Sequence, residues 1–182
     1  MIPLAILAGG RSTRMGQDKL LLPVAGEPQL VRLAHLGASL GMPVWICGRT
    51  PPGDWTGPEV HWLVDDPPGC GPMGGLAAAL GEAERRQLPG VVLIAGDLPY
   101  LQAHALEWLA SLPLASVQCR EERLEPLAGH YPTRLLQVVR ERLEAGRWSL
   151  NKLAAEFLTA VPVPEDLVGA WADADTPEQW PR

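Results

Sequence analysis

Short apolar segments rich in β-branched residues alternate along this chain with longer segments of helical periodicity. The predicted strands are Leu4–Leu7, Val44–Cys47, His61–Val64, Val91–Ala95, Ser116–Cys119 and, with a weaker pattern, Phe157–Val161. The predicted helices begin at about Pro28 and end before Gly41, and cover about Met73–Arg86, Ala103–Leu109 and Thr133–Ala145. Since this alternation is typical of βαβ units, the sequence predicts an α/β fold with a mostly parallel central sheet flanked by helices.

Composition limits the class of protein further. The chain has 182 residues, of which 47% are hydrophobic, and this suits one compact domain over residues 1–182. Its net charge of -6 disfavours nonspecific binding to nucleic acid or to anionic membranes. Apolar stretches such as Val91–Ala95 are far shorter than the roughly 20 residues that a membrane helix needs. An anionic ligand would therefore have to meet a local basic cluster.

Cysteine usage and the N-terminal segment indicate the compartment. Cys47, Cys70 and Cys119 are odd in number and lack C-x-x-C spacing, which argues against a disulfide framework and against a structural zinc site. Met1–Leu7 has no positively charged leader and no cleavage-type motif of small residues. We therefore expect a cytoplasmic protein with reduced thiols.

The segment after the first predicted strand has the composition of an anion-binding loop. Its adjacent glycines, Gly9 and Gly10, let the backbone approach a ligand closely, because they carry no Cβ. Charge-assisted contacts to phosphate oxygens would come from three nearby cations, Arg11, Arg14 and Lys19. The spacing excludes both G-x-x-x-x-G-K-[ST] and G-x-G-x-x-G, and with them P-loop and ordinary dinucleotide-binding enzymes. The plain alternative is a glycine-rich turn with solvated arginines.

This loop also resembles a known signature. It reads Leu7-Ala8-Gly9-Gly10-x-Ser12-x-Arg14-Met15-Gly16-x-Asp18-Lys19. The motif is similar to that of the molybdenum cofactor guanylyltransferases, MobA-like nucleotidyltransferases of the GT-A type. The resemblance implies a Rossmann-like three-layer sandwich in which the Leu7, Ala8, Gly9 and Gly10 backbone borders guanine and ribose, while Arg14 and Lys19 hold the triphosphate. Related cytidine enzymes usually carry Leu-Ala-Ala-Gly here, so Gly9 favours guanine.

A second glycine-rich loop, residues 65–75, follows the strand His61–Val64 and leads into a predicted helix. The free N–H groups of a helix N-terminus can meet a polar ligand, although composition alone favours an ordinary connector. The loop resembles the family motif D-x-x-P-G-x-G-P-L-x-G. The resemblance implies that Asp65, Gly71 and Pro72 bind the nucleoside, with Met73 in place of the usual leucine.

A carboxylate follows the apolar strand Val91–Ala95, in the sequence Gly96-Asp97-Leu98-Pro99. Ligands of open α/β sheets bind at the carboxyl ends of strands, and a carboxylate there can hold Mg²⁺ beside phosphate oxygens. A turn or helix-capping aspartate is the alternative. The segment resembles the family motif G-D-x-P, and that resemblance implies that Asp97 is the magnesium ligand.

The last third of the chain contains weaker motifs. Their resemblance to family motifs implies a role in binding the acceptor. Leu124–Pro132 and the region around Arg147 resemble E-P-L-x-x-x-Y-P and G-x-R-S-L of the family, near the pterin phosphate. Residues 171–178 resemble F-x-N-x-N-T-P-E-D, with Asp173 and Asp175 in place of both asparagines. The resemblance implies that Arg147, Asp173 and Asp175 bind the acceptor. The alternative at Asp175 is an acidic residue at the start of a helix.

Together these motifs predict a GTP-dependent guanylyltransferase. It would transfer GMP from GTP to the terminal phosphate of molybdopterin or Mo-molybdopterin, with Mg²⁺ as cofactor and Arg14, Lys19 and Asp97 as catalytic residues. Residues 1–100 would bind the nucleotide and residues 101–182 the acceptor, with molybdoenzyme apoproteins and molybdenum insertion proteins as protein partners. The rival predictions are a cytidylyltransferase on molybdopterin or another phosphorylated acceptor, and a noncatalytic nucleotide-binding adaptor.

Overall fold

The computed structural model of the protein describes residues 2–9, 18–172, 174 and 179–180. Its strands are β1 (Leu4–Leu7), β2 (Pro23–Val24), β3 (Glu27–Pro28), β4 (Val44–Cys47), β5 (His61–Leu63), β6 (Gly90–Ala95), β7 (Ser116–Arg120), β8 (Arg123–Pro132) and β9 (Thr159–Pro162). Seven of them form one sheet in the order β5-β4-β1-β6-β8-β7-β9, and β2 pairs with β3 in a separate hairpin.

The central sheet is mostly parallel, as predicted. β1 lies between β4 and β6 and is parallel to both, with Leu4 opposite Val44 on one side and Val92 on the other. β4 is parallel to β5, and β7 is parallel to β9. Only β8 runs against its neighbours β6 and β7 among the described strands of this sheet. The carboxyl ends of β5, β4, β1 and β6 therefore meet at one edge.

β8 is the strand of the central sheet that the sequence pattern does not predict. Pro126, Gly129 and Pro132 interrupt the segment with residues that are depleted in strands. Tertiary pairing overrides that preference, because β8 pairs with β6 over residues 128–132 and with β7 over residues 123–125 and 129–130. The buried Tyr131 hydroxyl donates to the Pro126 carbonyl at 2.6 Å and braces the strand internally.

The helices are α1 (Gln29–Ser39), α2 (Pro72–Arg85), α3 (Ala103–Ser111), α4 (Leu136–Glu144) and α5 (Leu150–Phe157). Short 3₁₀ helices cover Lys19–Leu21, Thr133–Leu135 and Glu165–Trp171. The single helix predicted over Thr133–Ala145 is thus a 3₁₀ turn followed by α4, and α5 was not predicted.

The sheet has an apolar core on each face. Ile6 and Ile94 pack into the layer that contains α1 and α3. Ala5 and Leu93, their neighbours in sequence, pack into the layer that contains α2, α4 and α5. Alternate side chains of a strand point to opposite faces, so helices on both sides bury these four side chains completely. The arrangement confirms the predicted Rossmann-like three-layer sandwich.

A buried carboxylate on α2 joins that helix to an edge of the sheet. Glu82 is 8% exposed and accepts two hydrogen bonds from Arg85, from Nη2 at 2.6 Å and from Nε at 2.8 Å. Arg86 also donates to Glu82, and His61 Nε2 lies 3.1 Å from its Oε1. Hydrogen bonds from Arg85 and then Arg86, together with nearby positive charge, lower the pKa of Glu82 to about 2 despite its burial.

This pKa predicts how stability responds to acid. Glu82→Gln should lower the free energy of unfolding at pH 7 by about 1 to 3 kcal/mol, because it removes a charged hydrogen-bond acceptor. The folded pKa lies below the ordinary value of 4.5, so the stabilisation is present above pH 4.5 and is lost as the pH falls toward 2. Urea denaturation should therefore show the difference between wild type and variant shrinking over that range. Glu84→Gln, at an exposed carboxylate of the same helix, is the control, and a pH-independent difference would contradict the prediction.

Two further expectations concern the thiols and the membrane. Cys47, Cys70 and Cys119 are free thiols, as predicted. Across the described ranges, no helix is long and apolar enough to cross a membrane. The cytoplasmic location stays a prediction.

Candidate active site

A cleft of about 780 Å³ opens at the edge of the sheet where four parallel strands end. Backbone hydrogen bonds continue the strand pairing into its floor, from Ala8 N to Cys47 O at 2.8 Å, Gly48 N to Leu63 O at 2.9 Å and Gly96 N to Leu7 O at 3.1 Å. The loops that leave these strands are therefore held close together. This is the edge at which open α/β sheets bind their ligands.

The structure brings most of the predicted nucleotide-binding residues into this one cleft. Those that line it are Leu7, Ala8, Gly9, Lys19, Asp65, Gly71, Pro72 and Asp97. Gly10, Arg14, Asp173 and Asp175 lie outside the described residues. Arg147 is exposed in the turn between α4 and α5 and is not part of the cleft lining. Its predicted contact with the acceptor stays a prediction.

The floor of the cleft is made of closely packed backbone. Gly48 has a φ of +85°, and a Cβ there would lie 2.8 Å from Gly9 Cα and 2.9 Å from Asp65 Oδ1. A Cβ on Gly75, at the start of α2, would meet a Leu7 methyl group at 2.6 Å. Only glycine allows so close an approach. Gly48 was missed from the sequence, although its place directly after the predicted strand Val44–Cys47 was the available signal.

Asp65 has a carboxylate oxygen in need of a donor. Its Oδ1 is buried and has no hydrogen-bond partner within the described part of the chain. Burial raises the pKa of Asp65. Buried acceptors are nearly always satisfied, so this atom indicates a ligand or water that donates to it.

The neighbouring thiol of Cys47 is unsuited to nucleophilic chemistry. Burial raises the pKa of Cys47 strongly, and the negative charge of Asp65 raises it further. The thiolate is the reactive form of cysteine. Cys47 is therefore a neutral core residue beside the cleft.

Lys19 enters the cleft from the first turn after the glycine-rich loop. The Asp18 carboxylate caps this turn by accepting from Leu20 N at 3.1 Å. The Lys19 side chain is 9% exposed, and its Nζ donates to the carbonyl of Ala174 at 2.8 Å. The ammonium group therefore connects the end of the loop to the C-terminal segment.

Arg49 is a further cation at this end of the molecule that sequence reasoning missed. Its guanidinium forms an ion pair with Asp18, which precedes Lys19. The pair joins the end of the glycine-rich loop to the segment that follows β4. As with Gly48, the position of Arg49 just after a predicted strand was the only local signal.

Asp97 follows β6. In the sheet, β4 and β1 separate this strand from β5, the strand that precedes Asp65. Gly96 before it has little space, because a Cβ there would lie 2.7 Å from a Leu20 methyl group and 3.0 Å from Leu7 O. Among the residues that the structure describes, Asp97 and Asp65 are the two carboxylates of the cleft lining. Among described residues, no group of three or more His, Cys, Asp or Glu side chains could hold a metal ion. Mg²⁺ usually takes one or two carboxylates and completes its shell with water and substrate phosphate, so this donor set fits Mg²⁺ that binds together with a triphosphate.

Sequence and structure comparisons agree with this geometry. Residues 4–158 match the family described as MobA-like NTP transferase domain. A probable molybdenum cofactor guanylyltransferase of Synechococcus elongatus is 33% identical and covers 96% of this chain and 94% of its own. The molybdenum cofactor guanylyltransferase of Xanthomonas euvesicatoria is also 33% identical, over 97% of this chain and 91% of its own. The crystal structure of molybdopterin-guanine dinucleotide biosynthesis protein A from Archaeoglobus fulgidus has the same fold, with a TM-score of 0.73, 19% identity and coverage of 98% and 94%.

Proposed function

This chain belongs to the family of MobA-like NTP transferase domains, and from that membership we propose that it is a molybdenum cofactor guanylyltransferase. It transfers GMP from GTP to the terminal phosphate of molybdopterin or Mo-molybdopterin. The observation that carries the proposal is the single cleft in which Lys19, Asp65 and Asp97 share a glycine floor at the carboxyl edge of the sheet. The relatives named as guanylyltransferases favour this activity over a cytidylyltransferase or an adaptor.

The reaction is a displacement at phosphorus. An oxygen of the acceptor's terminal phosphate bonds to the α-phosphorus of GTP, and the bond from that phosphorus to the oxygen bridging to the β-phosphorus breaks. Pyrophosphate leaves with the electron pair of that bond. The attacking phosphate is already ionised, so the protein needs no strong general base. It has to align two polyanions and to stabilise the charge that moves onto the leaving group.

Lys19 and Arg14 provide that stabilisation. Lys19 presents its ammonium from a site of low exposure, where an electrostatic contact is stronger than in water. Arg14 belongs to the same loop in sequence, and its role comes from the family motif. Asp97 would hold Mg²⁺, which when bound neutralises phosphate charge and orients the reacting phosphates.

Asp65 supports the choice of guanine. Guanine carries two adjacent N–H donors, at N1 and at the 2-amino group, on one edge of the base. An ionised carboxylate accepts from both, and the buried Oδ1 of Asp65 needs such a partner. Cytosine offers the single donor of its 4-amino group on the corresponding edge. Gly9, Gly71 and Pro72 form the surrounding surface of the cleft.

The acceptor would approach from the second half of the chain. Arg147, Asp173 and Asp175 are the proposed acceptor residues on the family motifs. Ala174, which lies between the two aspartates in the sequence, accepts a hydrogen bond from Lys19 Nζ, and this supports an acceptor site next to the cleft. Molybdenum insertion proteins and molybdoenzyme apoproteins are the proposed protein partners.

The test is a comparison of nucleotides on the purified protein. Pyrophosphate release is measured with GTP, CTP and ATP, with and without molybdopterin and Mg²⁺. We expect release that requires GTP, acceptor and Mg²⁺ together, with kcat/KM for GTP at least about 10-fold above that for CTP. Higher turnover of CTP would identify a cytidylyltransferase. Nucleotide binding without pyrophosphate release under every condition would identify an adaptor.

A further inference from the structure

Helix α1 holds the loop that carries Asp97, although it contributes no residue to the cleft lining. Gln29, the first residue of α1, is fully buried, and its Nε2 donates to the carbonyl of Gly96 at 3.1 Å. Its other amide atom, Oε1, accepts from Arg32 Nε at 3.0 Å. Both ends of the amide are therefore used, and this fixes its orientation.

Arg32, one turn further along α1, completes the contact. Its Nη1 donates to the Leu101 carbonyl at 2.8 Å and its Nη2 donates to the Leu98 carbonyl at 2.9 Å. The carbonyls of Gly96 and Leu98 belong to the residues on either side of Asp97. The backbone is thus held by side-chain donors immediately before and immediately after the carboxylate.

The loop between β6 and α3 has few backbone hydrogen bonds of its own to fix its conformation. Between the end of β6 and the start of α3 it has the hydrogen bonds from Gly96 N to Leu7 O and from Leu101 N to Leu98 O, at 3.1 and 3.3 Å. Without α1, the carbonyls of Gly96 and Leu101 would have no donor within the described residues, and that of Leu98 would keep only the bond from Leu101 N. A guanidinium suits the task because its donors lie in one rigid plane and can reach two carbonyls at once, whereas an ammonium is a single compact group.

Arg32 is also unusual because its guanidinium donates to neutral acceptors and not to a carboxylate. Within the described residues no carboxylate lies within ion-pair distance of Arg32, and its donors go to neutral groups, Gln29 Oε1 and two carbonyls. Burial lowers the pKa of Arg32, and the negative charge of nearby Glu27 opposes this only in part. A half-buried cation that is not paired with an anion is unfavourable unless its hydrogen bonds are well formed. This arrangement stabilises one conformation of one loop, the loop that presents Asp97 to the cleft.

We propose that Gln29 and Arg32 are positioning residues that fix the Asp97 carboxylate for metal binding and nucleotidyl transfer. The inference rests on the role proposed above for Asp97. Groups that orient a ligand of a metal typically change metal affinity or activity by about 10-fold to 100-fold when removed. A displacement of about 1 Å at a reacting group has a comparable effect on rate.

The test uses Arg32→Met, Arg32→Lys and Gln29→Glu in the full-length protein. Gln29→Glu keeps the acceptor for Arg32 but places a carboxylate oxygen against the Gly96 carbonyl. For Arg32→Met and Gln29→Glu we expect weaker Mn²⁺ binding by about 10-fold, measured by electron paramagnetic resonance in the presence of a GTP analogue with an α,β-methylene bridge. The affinity for the same analogue in EDTA should change by less than about 3-fold, because Lys19 and Asp65 are untouched.

A second readout needs no metal and no activity. Hydrogen exchange of the amides in residues 96–101 should become faster in Arg32→Met, while exchange in β6 stays slow. Arg32→Lys retains one donor group, so its metal affinity and kcat should lie between those of wild type and Arg32→Met. In steady-state kinetics, Arg32→Met should lower kcat by about 10-fold or more, with a smaller change in KM for GTP.

Two control variants separate positioning from general destabilisation. His35→Gln lies on α1 and removes an exposed contact with Glu27, and it should leave Mn²⁺ affinity, kcat and loop exchange unchanged. Glu82→Gln is expected to lower stability at a site on α2 whose partners are Arg85, Arg86 and His61. It should leave Mn²⁺ affinity, kcat and loop exchange unchanged at 25 °C. Wild-type Mn²⁺ affinity and loop exchange in a folded Arg32→Met protein would overturn the proposal. Absence of guanylyl transfer in the wild type would instead contradict the proposed function, and the binding and exchange measurements would still decide this inference.

Discussion

Replacement of Asp97 by asparagine is expected to reduce guanylyl transfer by at least about 10²-fold at saturating GTP and Mg²⁺. The substitution keeps the size of the side chain and removes its charge, so the loop held by Gln29 and Arg32 should keep its conformation. The loss then comes from weaker metal binding and from poorer neutralisation of the leaving pyrophosphate. Steady-state pyrophosphate release over a series of Mg²⁺ concentrations measures it.

A matched control is Asp54→Asn, which changes an exposed carboxylate by the same chemistry. It should leave both kcat and the Mg²⁺ dependence unchanged. If Asp97→Asn retained wild-type turnover with the same Mg²⁺ dependence, Asp97 would not be the metal ligand. The position of Asp97 on the cleft surface would then need another explanation, such as a contact with the acceptor.

Lys19→Met should lower kcat by about 10²-fold to 10³-fold, the range found when one preorganised donor to a developing charge is removed. The affinity for GTP should fall much less, because charge on the leaving group is greater in the transition state than in the bound nucleotide. The same substitution removes the hydrogen bond from Nζ to the Ala174 carbonyl. We therefore also expect a higher KM for the acceptor, since Ala174 loses its hydrogen bond to Lys19 beside the cleft.

Lys152→Met, at an exposed lysine of α5, is the control for loss of one positive charge. Calorimetric titration with GTP and steady-state kinetics on the same samples separate affinity from turnover. Full activity in Lys19→Met would refute its catalytic role. A loss of GTP affinity with unchanged kcat would indicate that Lys19 binds ground state and transition state alike.

Several site residues could be predicted because their signal is local. Gly9, Asp65 and Asp97 each follow directly after an apolar segment, and the carboxyl ends of parallel strands share one edge. Once the alternating pattern indicated such a sheet, these residues were expected to meet. The structure places all three in the cleft lining.

Other parts of the site have no local signal. β8 contains two prolines and a glycine, and it is a strand because β6 and β7 supply partners on both sides. Arg49 reaches Asp18 across 31 positions, and Lys19 reaches Ala174 across 155. Long-range contacts of this kind depend on the packed fold and not on neighbouring residues.

By itself the sequence determined the α/β architecture, the glycine-rich loops at the strand ends and the family to which the chain is similar, because periodicity and motif spacing are properties of short segments. The tertiary structure alone decided that Gln29 and Arg32 of α1 hold the carbonyls on either side of Asp97, at separations of 66 and 67 positions from Leu98 and Gly96. The physical reason is that a buried polar group must find its partner wherever the fold brings one within hydrogen-bond distance.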